Sequence, residues 1–146
     1  MINMCTVNTA LEELLNSELP DEYKIVRAEH VNKDPGRCPW VGIYRGSSQY
    51  TPRAMASHNS GKKWTANPGV RILIQAASGL SGKQAEERLE EYIAAVMDDV
   101  ILQNPTISGT VRTITGFDIE YSFNEETENT MFYHMATIDI KLEART

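Results

Sequence analysis

The sequence predicts a single-domain α+β fold in which roughly five strands form a mostly antiparallel or mixed sheet, with two helices packed on one face. Three observations lead to this prediction. Two segments, residues 6–18 and 82–102, repeat apolar residues with the period of an amphipathic helix. Two long segments, residues 111–123 and 131–143, alternate apolar and polar residues as antiparallel strands do. The length of 146 residues suits one domain with its own core, over residues 1–146.

The N-terminal half begins with a helix and two strands. The apolar face of the helix comprises Val7, Ala10, Leu11, Leu14 and Leu15. Pro20 is expected to end the helix, because proline cannot continue it. Residues 23–31 and 39–45 predict two strands, separated by the Asp-Pro-Gly turn of residues 34–36. In the second strand the residues on one face are Trp40, Gly42 and Tyr44, and those on the other are Val41 and Ile43.

Residues 46–67 follow, and they show neither a helical nor a strand period. A loop longer than about 15 residues is uncommon in a compact domain; it is usually functional, disordered, or an extended hairpin that reaches a partner. Tyr50, Met55 and Trp64 argue against permanent disorder, because disordered segments contain few large apolar side chains. We therefore interpret residues 46–67 as an extended loop or hairpin arm.

The segment VRILIQAASGLSGKQAEERLEEY, residues 70–92, combines a strand, a glycine-rich turn, a lysine and a helix. This order is typical of a phosphate-binding loop, which needs a longer spacing before its Gly-Lys pair and a Ser or Thr after the lysine. Here only two residues separate the glycines of the turn, and Gln84 follows the lysine. The third glycine of the dinucleotide-binding fingerprint is also missing. Ser81 and Gln84 instead predict a capping box at the start of the helix.

The second helix is predicted to run from Gly82 to about Leu102. Its inner face comprises Ala85, Leu89, Ile93, Val96, Met97, Val100 and Ile101. The apolar faces of the last two strands comprise Val111, Phe117, Ile119, Tyr121 and Phe123 in one and Phe132, Ala136, Ile138, Ile140 and Leu142 in the other. Polar residues 124–130 between them suit an antiparallel hairpin. The side chains that we expect the helix to cover are Phe117, Ile119, Ile138 and Ile140.

The charged residues are distributed unevenly along the chain. The net charge is −6, which argues against broad, sequence-independent binding of DNA or RNA. Between Pro35 and Ala85 there are seven Lys and Arg residues and no Asp or Glu, whereas the remainder has seven basic and 20 acidic residues, a net charge of −13. Such asymmetry favours contact between copies of the chain or with an acidic partner, although a solvated loop that lacks acidic residues gives the same pattern.

The apolar residues and the two cysteines indicate a protein that folds in the cytoplasm. No apolar run approaches the roughly 18 residues that a membrane span needs. The segment MINMCTVNTALEELL lacks the basic start and continuous apolar stretch of a secretory signal. Cys5 and Cys38 are too few for a disulfide framework, and we expect both to be reduced thiols.

The sequence lacks the patterns of common catalytic and metal sites. His134 falls on the apolar face of the last strand, where a core histidine is expected, and His58 lies among the polar residues of the arm. No serine stands in a Gly-x-Ser-x-Gly elbow, and no pair of His or Cys residues has the short spacing of a zinc site. We therefore expect no enzymatic activity, no catalytic residue, no metal and no cofactor.

The order of the elements, together with several local motifs, resembles a known class of protein. A helix that ends in Leu-Pro precedes a strand containing tryptophan, a long polar loop and the unit VRILIQAASGLSGKQAEERLEEYIAAVMDDV. ISGTVRTITGFDIEYSF and a closing strand that ends in ATIDIKLEA follow. This arrangement, which covers nearly the whole chain, is similar to that of the tail terminator (tail completion) proteins of long-tailed bacteriophages.

The resemblance implies a homohexameric ring in the neck or tail of a virion, assembled in the host cytoplasm. Such a ring sits on the last ring of the tail tube, stops tube polymerisation, and offers its other face to the head–tail connector or neck proteins. Its partners would be further copies of itself, the tail tube protein and a neck protein, without a membrane or sequence-specific nucleic acid. The family has no catalytic residue to carry over.

The arm is the expected partner interface, and Arg53, Lys62, Lys63 and Trp64 are its expected principal contacts. These residues would dock on an acidic surface of the tail tube or of the neighbouring subunit, with Trp64 supplying contact area and the cations supplying orientation. Two alternatives remain open. The chain could be another neck or tube component, such as a head-closure or tail tube protein, or else a cytoplasmic enzyme or small-molecule-binding domain.

Overall fold

A computed structural model of the chain describes residues 3–52, 64–126 and 131–144, with only the backbone described at 50–52, 64–66 and 124–126. The strands in this part of the chain are β1 Lys24–Arg27, β2 Trp40–Arg45, β3 Gln49–Pro52, β4 Trp64–Asn67, β5 Gly69–Ser78, β6 Thr113–Glu126 and β7 Met131–Glu143. Five of them form one mixed sheet in the order β1-β2-β5-β7-β6. β1 and β2 are parallel, and the other neighbours in this sheet are antiparallel. The predicted α+β fold with a five-stranded mixed sheet is confirmed.

Two helices flank the sheet on one face. Helix α1 spans Met4–Glu18, and the side chain of Asn3 accepts a hydrogen bond from the Cys5 N–H at 2.9 Å. Helix α2 spans Gly82–Ile93 and continues with π-helical geometry over Ala94–Ile101. The periodicity of the apolar residues therefore predicted the extent of both helices well.

The cap of α2 differs from the predicted capping box. The Ser81 hydroxyl accepts the Gln84 N–H at 3.0 Å, as expected. The side chain of Gln84 does not return to the Ser81 N–H but accepts a hydrogen bond from the Ser78 hydroxyl at 2.5 Å. Ser78 is buried at the end of β5, so its hydroxyl needs a partner, and Gln84 provides it. Only one of the two hydrogen bonds of the capping box is therefore formed, the one from the Gln84 N–H to the Ser81 hydroxyl.

One hydrophobic core lies between the sheet and the two helices. α1 packs on β1 and β2, while α2 packs on β5 and β7. The fully buried large side chains on the helix side of the sheet include Ile43, Ile72, Ile74, Ile138 and Ile140. The register places Ile43 opposite Ile72 and Ile72 opposite Ile138, so these residues form continuous rows across three strands. Each row buries branched side chains against a helix, which is the main stabilising contact of the fold.

The segment between β1 and β2 covers part of the opposite face of the sheet. β1 was predicted to extend over residues 23–31, but it ends at Arg27 because Ala28 adopts a positive φ of 56°. The chain then crosses the sheet, and Asn32 and Gln75 bind each other there through two hydrogen bonds of 2.9 and 3.0 Å. Trp40 is fully buried on this face. Both faces of β2 are thereby buried.

The final hairpin has the predicted antiparallel pairing, but the prediction that α2 covers Phe117 is wrong. Ile138 and Ile140 are buried, and Ile119 packs against the core while partly exposed, as expected. Phe117, by contrast, is 38% exposed. β6 is the edge strand, beyond the strands on which α2 packs, so the helix does not cover its aromatic side chains. The strand also begins at Thr113 rather than at residue 111, and a bulge between Ile114 and Gly116 shifts its register against β7.

Candidate interaction surface

The residues that could carry catalysis are dispersed. His30 is exposed between β1 and β2, and His134 is half-buried on the helix side of β7, where its ring stacks on Phe123 with centroids 5.8 Å apart. His58 lies outside the described residues. Within the described ranges, no group of three or more His, Cys, Asp or Glu residues is arranged to hold a metal ion. The two described histidines, His30 and His134, therefore lie in separate parts of the fold.

Cys38 is a half-buried thiol beside the polar pair Asn32 and Gln75. Its sulfur lies 3.9 Å from Asn32 Nδ2 and 3.9 Å from Gln75 Oε1. Burial, together with the negative charge of Asp34, raises the pKa of Cys38 to about 11. Because the thiolate is the reactive form, Cys38 is a poor nucleophile at neutral pH.

A cavity of about 430 Å³ lies beside this polar pair and bears on the small-molecule alternative. Its lining includes Asn32, Gln75, Tyr133 and Met135. The Nδ2 of Asn32 donates to Gln75 Oε1 and to the Asp34 carbonyl, and the Nε2 of Gln75 donates to the backbone carbonyl of Asn32. These hydrogen bonds hold the crossing segment on the sheet, so the polar groups that form them already have partners within the chain.

The most exposed apolar surface lies on the edge strand β6. Phe117, Tyr121 and Phe123 are 38%, 59% and 73% exposed and share the helix side of the strand. Over the six residue steps from Phe117 to Phe123, the stripe extends for about 20 Å. In the described part of the chain, no strand pairs with the outer edge of β6. A long edge strand with exposed aromatic side chains is a surface that a partner can cover.

A groove of about 370 Å³ runs between α2 and the second half of β6. Its lining consists of Glu86, Leu89, Glu90, Tyr121, Ser122, Phe123 and His134. Leu89 is buried, whereas Glu86 and Glu90 are exposed and have no ion-pair partner among the described residues. We call this surface the acidic groove, because it combines an apolar, aromatic floor with two unpaired carboxylates on one side.

The predicted arm begins as a hairpin. β3 and β4 pair antiparallel, from Gln49 opposite Asn67 to Pro52 opposite Trp64, and form a separate two-stranded sheet. Of the four predicted contact residues, Arg53, Lys62 and Lys63 lie outside the described residues. Trp64 is the first residue of β4, and its side chain is not among those described. Their role at an interface stays a prediction.

Sequence reasoning assigned Tyr121 and Phe123 to the apolar face of their strand, and both side chains are exposed on that face. Alternation identifies the face on which a side chain lies, but it does not identify which strand will be at the edge of the sheet. The dimensions gave no signal either: five strands span roughly 20–24 Å, and two helices of about 10–12 Å diameter side by side cover about the same width.

Comparisons with known proteins do not define a family. No protein-family model matches the sequence, and none of the curated proteins does. Among the matching solved structures is a chain from a structure described as "Virion of native gene transfer agent (GTA) particle", with 13% sequence identity and a TM-score of 0.34. The match covers 92% of this chain and 84% of that chain.

In residues 3–52, 64–126 and 131–144, no helix has both the length and the apolar character needed to span a membrane.

Proposed function

We propose that this chain is a structural protein of a phage virion that terminates the tail tube as a ring of identical subunits, six in number. The ring stops tube polymerisation on one side and supplies the surface for a head–tail connector or neck protein on the other. The identity of the particle and of the partners rests on the resemblance in element order and motifs. The chain performs no chemistry in this role and needs no cofactor.

The observation that carries the proposal is the exposed aromatic stripe on the unpaired edge of β6. Phe117, Tyr121 and Phe123 present apolar surface on a long edge strand, and in an isolated subunit this surface would be in water. Exposed aromatic clusters of this kind are typical of interfaces, where aromatic residues supply much of the binding free energy. In an assembly of subunits, a neighbouring subunit can cover these three side chains.

The uneven charge supports a head-to-tail arrangement. A ring of identical subunits is built from heterologous contacts, in which one surface meets a different surface of the neighbour. The acid-free stretch between Pro35 and Ala85 supplies basic side chains, and the acidic residues of α2, including Glu86 and Glu90, supply acidic ones. One chain therefore contains both halves of a complementary pair.

Electron microscopy of particles assembled without this protein tests the proposal. A tail terminator limits tube length and permits head attachment, so its absence should leave overlong tails without heads. Adding the purified protein back should restore tails of defined length. Tails of normal length, joined to heads in the absence of the protein, would contradict a terminator role.

The same experiment separates the principal alternative. If the chain is the tail tube protein, its absence should leave no tubes at all, and if it closes the head, filled heads should lose their contents while tails keep their normal length. A small-molecule-binding domain or an enzyme should leave the particle morphology unchanged. The three outcomes differ from overlong tails, so each class of function is distinguishable.

A further inference from the structure

We propose that the acidic groove between α2 and β6 is the docking site for the arm, residues 46–67, of a second copy of this chain. The inference rests on the proposed function, because it names the two surfaces through which identical subunits join. The arm then binds the neighbouring subunit and not the tail tube.

The groove has the chemistry that would recognise a basic segment with an aromatic side chain. Glu86 and Glu90 are four residues apart in α2, so they project from the same side of the helix. Both are exposed, and neither has an ion-pair partner among the described residues. Tyr121 and Phe123 supply exposed ring surface directly beside them. An aromatic ring fits the floor, and Lys or Arg side chains fit the carboxylates and the ring faces.

The arm is the part of the sequence that matches this chemistry. Arg53, Lys62, Lys63 and Trp64 fall within residues 46–67, and no Asp or Glu occurs between Pro35 and Ala85. The arm therefore contains cations and a large aromatic residue without a carboxylate to repel the groove. The complementarity is between two segments of one sequence, and a second copy of the chain is the partner it predicts.

The position of the two surfaces in the sheet favours contact between subunits. The β3–β4 hairpin joins β5 at Gly69, whereas the groove lies at the other end of β5, where Ala76 is opposite His134. The seven residue steps from Gly69 to Ala76 span about 23 Å. Because the base of the arm and the groove are at opposite ends of the sheet, a contact between the arm of one copy and the groove of the next can repeat head to tail, which is a heterologous arrangement. Repeated heterologous contacts close into a ring when the rotation between subunits allows it.

Charge reversal on each surface tests the pairing with the purified full chain. The groove-reversed variant carries Glu86→Lys and Glu90→Lys, and the arm-reversed variant carries Lys62→Glu and Lys63→Glu. The matched control carries Glu87→Lys and Glu91→Lys, which make the same change of charge about 100° further round the helix. Sedimentation velocity at low and high ionic strength gives the oligomeric state, and thermal unfolding checks that each variant folds.

We expect each reversed variant alone to associate at least about tenfold more weakly than the unmodified chain at low ionic strength, because each contact would oppose like charges. The control should associate normally. Mixing the groove-reversed and arm-reversed variants should restore assembly, since each arm then meets a groove of opposite charge on its neighbour. Recovery in the mixture is the result that a contact within one chain would not give.

Several results would overturn the inference. The unmodified chain could remain monomeric at every concentration and ionic strength, or the control could weaken association as much as the groove-reversed variant. The mixture of the two variants could also stay dissociated, while a chain that carries all four reversals associates as the unmodified chain does. That result would indicate that the arm binds the groove of its own subunit. Failure of the tail-capping role is detected separately: if assembly follows the charge pattern but tails keep normal length without the protein, the inference stands and the proposed function falls.

Discussion

Tyr121 and Ala136 lie directly opposite each other on β6 and β7, yet Ala136 is fully buried and Tyr121 is 59% exposed. The two residues share the helix side of the sheet, so the boundary of the helix layer runs between these two strands. At this pair Ala136 contributes to the core, and the side chain of Tyr121 is available to a partner. Substitution of a buried residue of β7 should therefore affect folding, whereas substitution of Tyr121 should affect association.

The first prediction compares the two sides of this boundary. Ile138→Ala should lower the free energy of unfolding by about 2–5 kcal/mol, because it leaves a cavity under α2. Tyr121→Ser should lower it by less than about 1 kcal/mol, because the side chain is already largely in water. Urea unfolding measures both changes. If the Tyr121 substitution destabilises the subunit as much as the Ile138 substitution, β6 is covered and the interaction surface is misplaced.

The second prediction concerns the cap of α2. Ser81→Ala should destabilise the fold by about 1 kcal/mol, because the Gln84 N–H loses the hydroxyl that accepts it at 3.0 Å. Lys83→Ala is the matched control, since Lys83 is exposed in the same turn and has no role in the cap. Urea unfolding at neutral pH measures both. Equal stability of the Ser81→Ala variant and the unmodified chain would show that water replaces the hydroxyl at no cost.

The third prediction concerns the Asn32–Gln75 pair, which holds the crossing segment on the sheet. Gln75→Ala removes both mutual hydrogen bonds and should cost about 1–3 kcal/mol, because it leaves buried polar groups of Asn32 without those partners. Arg71→Ala on the same strand removes an exposed ion pair with Asp139 and should cost less than about 1 kcal/mol. A double-mutant cycle of Gln75→Ala with Asn32→Ala should show strong coupling; additive effects would contradict the pairing.

The sequence contained most of the fold but little of the surface. In β5 the period of two along a strand puts Ile72 and Ile74 on one face and Gln75 on the other, and the register agrees with both. Alternation does not predict the hydrogen bond between Asn32 and Gln75, because that contact depends on how the segment between β1 and β2 crosses the sheet. Phe123 shows the same limit: its face was correct, but its exposure depends on the order of the strands.

The fourth prediction concerns pH and the thiol of Cys38. The fold raises the pKa of Cys38 from its ordinary value of 9.0 to about 11, so between these values the folded chain retains a proton that the unfolded chain releases. The contribution of Cys38 to stability is therefore fully present below pH 9 and is lost as the pH rises towards about 11. The free energy of unfolding should fall over this range.

Comparison with Cys38→Ala isolates this effect from the tyrosines, because burial also raises the pKa values of Tyr23 and Tyr92. The decline between pH 9 and 11 should be shallower in the variant than in the unmodified chain. If the free energy of unfolding falls equally with pH in the variant and in the unmodified chain, Cys38 does not titrate in this range. At pH 8 a thiol reagent should modify the exposed Cys5 faster than Cys38.

The last prediction concerns the arm and compares its aromatic residue with one of its cations. Trp64→Ala should weaken docking of the arm more than Lys62→Ala does. A buried tryptophan at an interface can contribute roughly 2 kcal/mol or more, whereas a lysine at the rim is screened by salt and contributes little alone. Reversal of Lys62 and Lys63 together to Glu should slow association, most strongly at low ionic strength.

Tail-capping by purified variants measures the effect, after thermal unfolding has shown that each isolated subunit keeps most of its stability. The order of the two substitutions is the informative result, because contact area and charge make opposite predictions for it. If Trp64→Ala caps tails normally, its ring is not an interface contact. If the variant unfolds instead, Trp64 belongs to the core, and the arm must bind through its cations alone or not at all.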